Sequence, residues 1–556
     1  MFARAIVFVL VVLSSLFGLL AAPAGIKLGQ NTSKVDRFDF VEFTLSIEKP
    51  DALNPFTHVT VTAEVMPPHG SPIHVDGFCD TLDGSIFRIR YMPRIEGKHS
   101  VSITYRQGEF TRTFNGKFLA TAGKNQGPVR VDMDHPFHFV REDSGQHWFW
   151  NATTTYELLA WDDETIARSV VRLGRLGVNR IRVALAGRTP DGKRWNEPLV
   201  LRTPKFAFKM EPWLVARPDN IADPGYDVSR FNLELFRKAD RLLRLCRERG
   251  IVVSLIFYVD GRDPGVDPFG KEGMGGVDEQ RYYRYTIARL ASFENIMWDI
   301  SNEYRLFRDD PWAEKMGALV KECDPYQHIA SIHGHGDFHF RQSPWADFAM
   351  YQSWDEHGGY AFMLKNRREQ AATGRPMPQV NEEYGYEDHY PFPWGERRLW
   401  PARIADNRRR LAWEISMAGC YQTTGERANN GTGAGPDTGG GWVNGRGDDS
   451  MTMLVGYRSM KGFFTSIDWW KLEPRDDLAA DDTLFMAEPG RCYVAYKPNG
   501  GPARCILAAG TYRARWFNPR DGGWSNPFEF KQPREGIWTS PVPDDAGDWA
   551  LLLETK

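Results

Sequence analysis

The chain has 556 residues, of which 42% are hydrophobic and 25% are charged, and its formal net charge is −3. This length exceeds what one hydrophobic core usually supports, so we expect about two to four domains. The nearly balanced charge argues against a protein that binds nucleic acid or an anionic membrane surface.

The first 24 residues are predicted to be a signal peptide. Arg4 precedes an apolar run from Ile6 to Leu20, and Ala22-Pro23-Ala24 supplies the small residues of a cleavage site. The apolar run is short for a membrane-spanning helix, and no stop-transfer flank follows it. We therefore expect a secreted or periplasmic protein that has no stable membrane insertion after cleavage.

Residues 25–125 are predicted to form an immunoglobulin-like β-sandwich. Apolar and polar residues alternate in Val41–Ile47, Val59–Val61 and Val101–Tyr105, with Pro and Gly residues between the runs. Short alternating strands separated by turns are typical of antiparallel sandwiches. Residues 122–128 read as the linker that follows.

From residue 126 to residue 470, helical patterns alternate with short apolar strands. This rhythm indicates a parallel sheet, and eight such units indicate a closed (β/α)8 barrel. An open doubly wound sheet is the alternative. No GxGxxG or GxxxxGKS/T motif follows a strand, so nucleotide binding lacks support and no cofactor is expected. The predicted strands are 137–149, 178–183, 251–259, 295–303, 328–333, 348–354, 377–383 and 419–424.

Residues 471–556 return to short strands with Gly-Gly and Asn-Pro turns, which predicts a small C-terminal β-sandwich. Export permits disulfides, and Cys492 with Cys505 could join adjacent strands there. Buried free thiols are the other possibility, which we favour for Cys246, Cys323 and Cys420.

Two predicted barrel strands end in a carboxylate, strand four at Glu303 and strand seven at Glu383. Catalytic groups of such barrels lie at the carboxyl ends of the strands. Two carboxylates about 5–5.5 Å apart can hydrolyse a glycoside with retention, because one protonates the leaving oxygen while the other attacks the anomeric carbon. The alternative is that both are surface residues at helix starts, where the helix dipole favours acidic side chains.

Several motifs match known glycoside hydrolases. Asn302-Glu303 and Glu383-Tyr384-Gly385 resemble the strand-four and strand-seven motifs of clan A, and Gly177–Arg182 resembles its strand-two arginine motif. More narrowly, the chain is similar to the apiosidase-like family. The matching stretches are His138–Trp150, His328–His333, Met350–Ser353 and Val380–Glu387 in the barrel, residues 34–120 before it, and Arg515–Arg520 with Asp548–Leu552 after it.

The resemblance implies roles for four residues. Glu303 would be the acid/base, and Asn302 would hold the sugar 2-hydroxyl. Glu383 would be the nucleophile, with Arg182 nearby keeping it ionised. The resemblance also implies an oligo- or polysaccharide substrate, with side chains of plant or algal polysaccharides as the expected class.

The chain departs from the family pattern just before the nucleophile, where relatives usually carry glycine and this chain has Glu382. Either Glu382 or Glu383 could therefore attack. Strand alternation would point only one of them inward. The Tyr384-Gly385 that follows favours Glu383.

Further substrate contacts are expected from His333, Gln352 and Trp354, at the ends of strands five and six. Trp354 would stack on a sugar, with core packing as the alternative. His333-Gly334-His335 with His339 could instead hold a metal ion, although in metal-dependent hydrolases the His-x-His closes the first strand. We therefore expect no metal. The Gly-rich segment 425–447 would be a flexible loop or a lid that presents Trp442.

A retaining glycoside hydrolase is thus the leading hypothesis. A metal-dependent hydrolase on the same barrel and a catalytically inactive carbohydrate-binding protein are the alternatives.

Overall fold

The computed structural model describes residues 24–187, 211–218, 220, 223–259, 261, 265–334, 336–353, 359–385, 405–425, 452–543 and 545–556. The predicted signal peptide, apart from Ala24, lies outside the described residues. So do Trp354, His335 and all of the segment 425–447 except Gly425. Within the described part, no helix combines the length and apolar character needed to cross a bilayer.

The N-terminal part is a β-sandwich, as predicted. Its elements are β1 Ala24–Gln30, β2 Lys34–Asp36, β3 Val41–Lys49, helix α1 Pro55–His58, β4 Val59–Met66, β5 Ile73–Asp76, β6 Phe78–Cys79, β7 Ile86–Tyr91, β8 Gly97–Gln107 and β9 Phe110–Thr121. One sheet has the order β1-β3-β7-β6 and the other β2-β9-β8-β4-β5. The sheets pack face to face, because Phe87 of the first contacts Tyr105 of the second, with ring centroids 5.7 Å apart.

Next comes the barrel, whose strands alternate with helices. The strands of this region are β10 Val129–Val131, β11 Phe139–Arg141, β12 Ala152–Thr154, β13 Arg180–Ala184, β14 Trp213–Val215, β15 Tyr226–Phe231, β16 Val252–Ile256, β17 Ile296–Asp299, β18 Ala330–Ser331, β19 Ala349–Gln352, β20 Gln379–Glu383 and β21 Tyr421–Thr424. The helices are α2 Asp163–Arg175, α3 Leu233–Arg247, α4 Gly270–Gly273, α5 Val277–Leu290, α6 Asp310–Cys323, α7 Gly359–Ala372, α8 Ala405–Met417 and α9 Thr452–Phe464. Short 3-10 helices lie at Leu158–Ala160, Tyr304–Leu306, Trp469–Lys471 and Asp476–Leu478.

Eight parallel strands form the barrel, in the order β18-β17-β16-β13-β12-β21-β20-β19. A parallel bridge between His333 and Met350 joins the two ends of this order and closes the ring. The predicted (β/α)8 architecture is therefore confirmed, with β-domains on either side. The antiparallel pair β14-β15 is an addition that lies between β13 and α3.

The prediction for the first barrel strand is wrong. Residues 137–149 contain β11, which pairs antiparallel with β10, and a further antiparallel bridge joins Val140 to His147. The first barrel strand is β12, which pairs with β13 and β21. It has three residues, too few to show an apolar periodicity of its own.

Local sequence explains how one helix of the barrel begins and how the next strand follows it. The side chain of Asp162 accepts a hydrogen bond from the Thr165 amide, which caps the first turn of α2. Gly177 follows the helix with a φ of 79°, a conformation that glycine adopts without strain, and the chain then enters β13.

The C-terminal part is a β-domain packed on the barrel. Its strands are β22 Glu473–Pro474, β23 Leu484–Glu488, β24 Cys492–Lys497, β25 Arg504–Leu507, β26 Gly510–Phe517, β27 Phe528–Gln532, β28 Gly536–Thr539 and β29 Trp549–Thr555. Trp413 of α8 stacks on Tyr496 of β24, with ring centroids 5.2 Å apart. All six cysteines are free. The possible Cys492–Cys505 disulfide is therefore absent, and the two residues lie on β24 and β25, which belong to different sheets rather than being adjacent strands.

Candidate active site

The candidate residues meet at the carboxyl ends of the parallel strands. Arg182 lies within β13, Asn302 follows β17, and His333 follows β18. Gln352 and Glu383 are the last residues of β19 and β20 and pair with each other in the sheet. Side chains from five strands therefore converge at one end of the barrel, where such folds carry their active sites.

The carboxylate of Glu383 is the centre of this group. Its side chain is 5% exposed, and its Oε1 lies 3.6 Å from Arg182 Nη1. The hydroxyl of Tyr156 donates a short hydrogen bond to the same oxygen, and Gln352 Nε2 donates to Oε2 at 3.1 Å. A cation and hydrogen-bond donors around a buried carboxylate favour its ionised form.

Both consecutive glutamates of β20 face the interior, which differs from the expectation that strand alternation would turn one away. Tyr351 pairs with Asn381, but Gln352 pairs with Glu383, so the register shifts by one residue at Glu382. Such a bulge sets two residues of one strand against one of its neighbour and interrupts the alternation.

Glu382 belongs to a deeper layer of the barrel than Glu383. It is wholly buried, and its Oε2 lies 2.8 Å from Arg180 Nη1 and 3.8 Å from Arg182 Nε. Arg180 in turn lies over the indole of Trp150, at 4.1 Å from the ring centroid. Glu382 therefore neutralises guanidinium charge beneath the mouth.

Asp299 completes the buried charge cluster. Its Oδ2 accepts a hydrogen bond from Arg182 Nη2 at 3.1 Å. Burial, supported by the negative charge of Glu382 and opposed by Arg182, raises the pKa of Asp299 to about 6. Burial works against the charge of Arg182, but Tyr156 and the surrounding carboxylates outweigh it and raise the pKa of this guanidinium.

Asn302 is fixed through its amide oxygen. Arg182 Nη2 donates to Asn302 Oδ1 at 3.0 Å, and His333 Nδ1 lies 2.6 Å from the same atom. An amide oxygen can only accept hydrogen bonds, so this contact assigns the proton of His333 to Nδ1. The NH2 group of Asn302 is then the end of the amide that can donate to a sugar hydroxyl.

Glu303 is held in an unusual backbone conformation after β17, immediately before the 3-10 helix Tyr304–Leu306. Its φ is 44° and its ψ is 43°, in the left-handed region that residues other than glycine seldom adopt. The flanking amides fix this shape, since Asn302 N donates to the Tyr258 carbonyl and Tyr304 N to that of His333. Strain of this kind is concentrated at functional sites. The side chain of Glu303 is half-buried.

Sequence reasoning missed Tyr156, the residue whose hydroxyl contacts Glu383, Arg182 and Asn302. It follows β12, the strand that was misassigned, so the prediction gave no reason to look at this position. The signal that could have found it was the Thr-rich run 153–155, which reads as a short strand end immediately before a tyrosine.

Among the described residues, no three His, Cys, Asp or Glu side chains form a group that could hold a metal ion, but His335 is not one of those residues. His339 bonds to Asp310 and Asp337, both at 2.6 Å. The expected stacking by Trp354 and the lid with Trp442 fall on residues that the structure does not describe.

Comparisons with known proteins define the class. The family model of the apiosidase-like catalytic domain matches residues 137–426, which is more than half of the chain. The family model of a domain of unknown function (DUF5060) matches residues 34–106. The protein is a glycoside hydrolase built on a (β/α)8 barrel. The chain belongs to the apiosidase-like family.

Solved structures share the fold. A candidate glycoside hydrolase from Bacteroides vulgatus aligns with a TM-score of 0.76 at 21% identity, covering 94% of this chain and all of that one. A family 5 glycoside hydrolase from the same organism aligns with a TM-score of 0.59 at 15% identity, covering 77% of this chain and 93% of that one. No curated protein matches the chain.

Proposed function

We propose that this glycoside hydrolase retains the anomeric configuration, with Glu383 as nucleophile and Glu303 as acid/base. The observation that carries the proposal is the setting of Glu383, a buried carboxylate with Arg182 beside it at the barrel mouth. Glu303 follows β17, a strand three places away around the ring, and has the strained backbone described above. Two carboxylates at one mouth are what double displacement requires.

In the first step of this mechanism, a carboxylate oxygen of Glu383 bonds to the anomeric carbon while the glycosidic bond breaks. The leaving oxygen takes the proton of Glu303. In the second step, Glu303 takes a proton from water, the water oxygen bonds to the anomeric carbon, and Glu383 leaves as a carboxylate. Asn302 donates its NH2 to the sugar 2-hydroxyl throughout, because its oxygen is already engaged.

We propose that the substrate is a side chain of a plant or algal polysaccharide. This rests on the family resemblance, together with the predicted signal peptide, which would deliver the enzyme to polymers outside the cytoplasm. The barrel mouth supplies hydrogen-bond donors and acceptors suited to a polyhydroxylated ligand. Release of sugars from a panel of complex polysaccharides tests the substrate class.

Three alanine variants test the roles, and Glu382→Ala is the matched control for Glu383→Ala. Glu383→Ala should abolish turnover, and azide should restore it with inverted stereochemistry by occupying the space of the nucleophile. Glu303→Ala should lose about 10²–10⁴-fold on substrates with poor leaving groups and less on activated aryl glycosides. Azide should rescue this variant with retention.

The control separates the two neighbouring glutamates. Glu382→Ala removes a buried partner of Arg180, so it should lower stability and show no azide rescue with inversion. Rescue of Glu382→Ala rather than Glu383→Ala would exchange their roles. Near-wild-type turnover of both Glu303→Ala and Glu383→Ala would end the two-glutamate proposal.

A further inference from the structure

The hydroxyl of Tyr156 occupies the middle of the site. The residue is 3% exposed, and its hydroxyl oxygen lies 3.1 Å from Arg182 Nη1 and 3.0 Å from Asn302 Oδ1. The contact with Glu383 Oε1 is shorter than either of these. One hydroxyl thus touches the nucleophile of the proposed mechanism, its cation and its neighbouring amide.

The direction of these hydrogen bonds follows from counting protons. A phenol has one proton to donate, and both Asn302 and Glu383 offer an acceptor. The two lone pairs of Asn302 Oδ1 are already met by Arg182 Nη2 and His333 Nδ1. The proton of Tyr156 therefore goes to Glu383 Oε1, while the phenol oxygen accepts from Arg182 Nη1.

This arrangement forms a chain from the guanidinium through the phenol to the carboxylate. A donor to the phenol oxygen polarises the O–H bond and strengthens the hydrogen bond that it makes in turn. Arg182 thereby acts on Glu383 directly across 3.6 Å and also through Tyr156.

We propose that Tyr156 is a positioning residue that acts through Glu383 and promotes its departure in the second chemical step. The inference rests on the proposed function of Glu383. In the glycosyl-enzyme, Glu383 is an ester and a weaker hydrogen-bond acceptor. As water bonds to the anomeric carbon, the carbon–oxygen bond to Glu383 breaks and its electron pair returns to the carboxylate. Tyr156 then donates to a growing negative charge.

Tyr156→Phe isolates the hydroxyl, because the ring over which the Arg182 guanidinium lies at 5.3 Å is retained. Hydrolysis of the intermediate should slow by roughly 10- to 100-fold, the worth of a hydrogen bond to a charged group. Formation of the intermediate should change less. The acid limb of kcat/KM should move up by about one to two pH units, since the carboxylate loses a donor.

Tyr285→Phe is the matched control. The hydroxyl of this buried tyrosine also accepts from an arginine, Arg289 Nη1 at 3.4 Å, and donates to the Cys79 carbonyl at 2.9 Å. It lies on α5 at the contact with the N-terminal sandwich, away from the barrel mouth. A purely structural effect of losing a buried phenol would appear in both variants.

The experiment uses the full chain and an activated aryl glycoside that the wild-type enzyme hydrolyses. Rapid mixing measures the burst of released phenol, intact mass detects the covalent intermediate, and kcat/KM is followed against pH. We expect Tyr156→Phe to show a larger ratio of the burst rate to the steady-state rate and to accumulate glycosyl-enzyme. Its kcat and KM should fall together. Tyr285→Phe should match the wild type in all of these.

Failure of the proposed function can be distinguished from failure of the inference about Tyr156. An active Glu383→Ala variant would overturn the proposed function itself. The inference about Tyr156 alone would be overturned by a different pair of results. Glu383→Ala would be inactive, while Tyr156→Phe would keep the wild-type acid limb of kcat/KM and accumulate no intermediate.

Discussion

Replacing Asp299 by asparagine should stabilise the protein at neutral pH, although the carboxylate bonds to Arg182. Asp299 is wholly buried, and burial raises its pKa from 3.8 to about 6 despite the nearby guanidinium. Ionisation of this carboxyl is therefore less favourable in the folded state than in the unfolded chain. Asparagine resembles the protonated carboxyl and keeps an oxygen to accept from Arg182.

The shift of about two pH units corresponds to about 3 kcal/mol. Because the folded state binds this proton more tightly than the unfolded chain, the stability from the protonated form is fully present below about pH 4. This contribution to stability is lost as the pH rises through about 6. Asp299→Asn should therefore exceed the wild type in free energy of unfolding by about 3 kcal/mol at pH 7.5 and by about 1 kcal/mol at pH 4.5.

Asp324→Asn is the matched control with the opposite sign. Asp324 is also wholly buried, and it accepts from the indole of Trp298, the residue before Asp299. Burial pushes its pKa upward, but the attraction and hydrogen bond of His328 outweigh this and lower the pKa to about 2. Its stability is present above about pH 4, so Asp324→Asn should lose about 2 kcal/mol at pH 7.5.

Urea unfolding followed by tryptophan fluorescence at pH 4.5 and pH 7.5 measures these differences. The three proteins are compared at each pH, so that other titrating groups cancel. The reasoning is refuted by an Asp299→Asn variant that is less stable than the wild type at pH 7.5. It is equally refuted if the advantage of this variant does not grow between the two pH values.

Three further predictions address the domain contact, the stereochemistry and export. Asp240 accepts hydrogen bonds from Arg90 at 2.8 Å and from Arg289 at 2.7 Å. Asp240→Asn should lower the free energy of unfolding in urea by about 3–5 kcal/mol, because two buried guanidiniums lose a counter-charge, and a loss below about 1 kcal/mol contradicts this. Proton NMR during hydrolysis should show a first product with the substrate's anomeric configuration, whereas inversion would imply carboxyls about 6.5–9.5 Å apart. N-terminal sequencing of protein exported by the native host should begin between Ala22 and Ile26, and an intact Met1 in the cytosol would disprove the predicted cleavage.

Sequence by itself determined much of the barrel and named most of the residues that meet at its mouth. Seven of its strands were predicted from apolar runs between helical patterns, since a strand buried on both faces is continuously apolar. Knowing that catalytic groups lie at strand ends then led to Glu303 and Glu383. The resemblance added Arg182 and Asn302. Of the other three predicted residues, His333 and Gln352 are described in the site, and Trp354 falls outside the described part.

Tertiary structure decided how those residues are arranged. The bulge at Glu382 is a property of the pairing between β19 and β20, so alternation along β20 alone could not predict it. The strand β12 is recognisable through its pairing with β13 and β21 rather than through its own three residues. Tyr156 follows that strand, and its hydroxyl meets Glu383, 227 residues further along the chain, because closing the barrel brings the strand ends together.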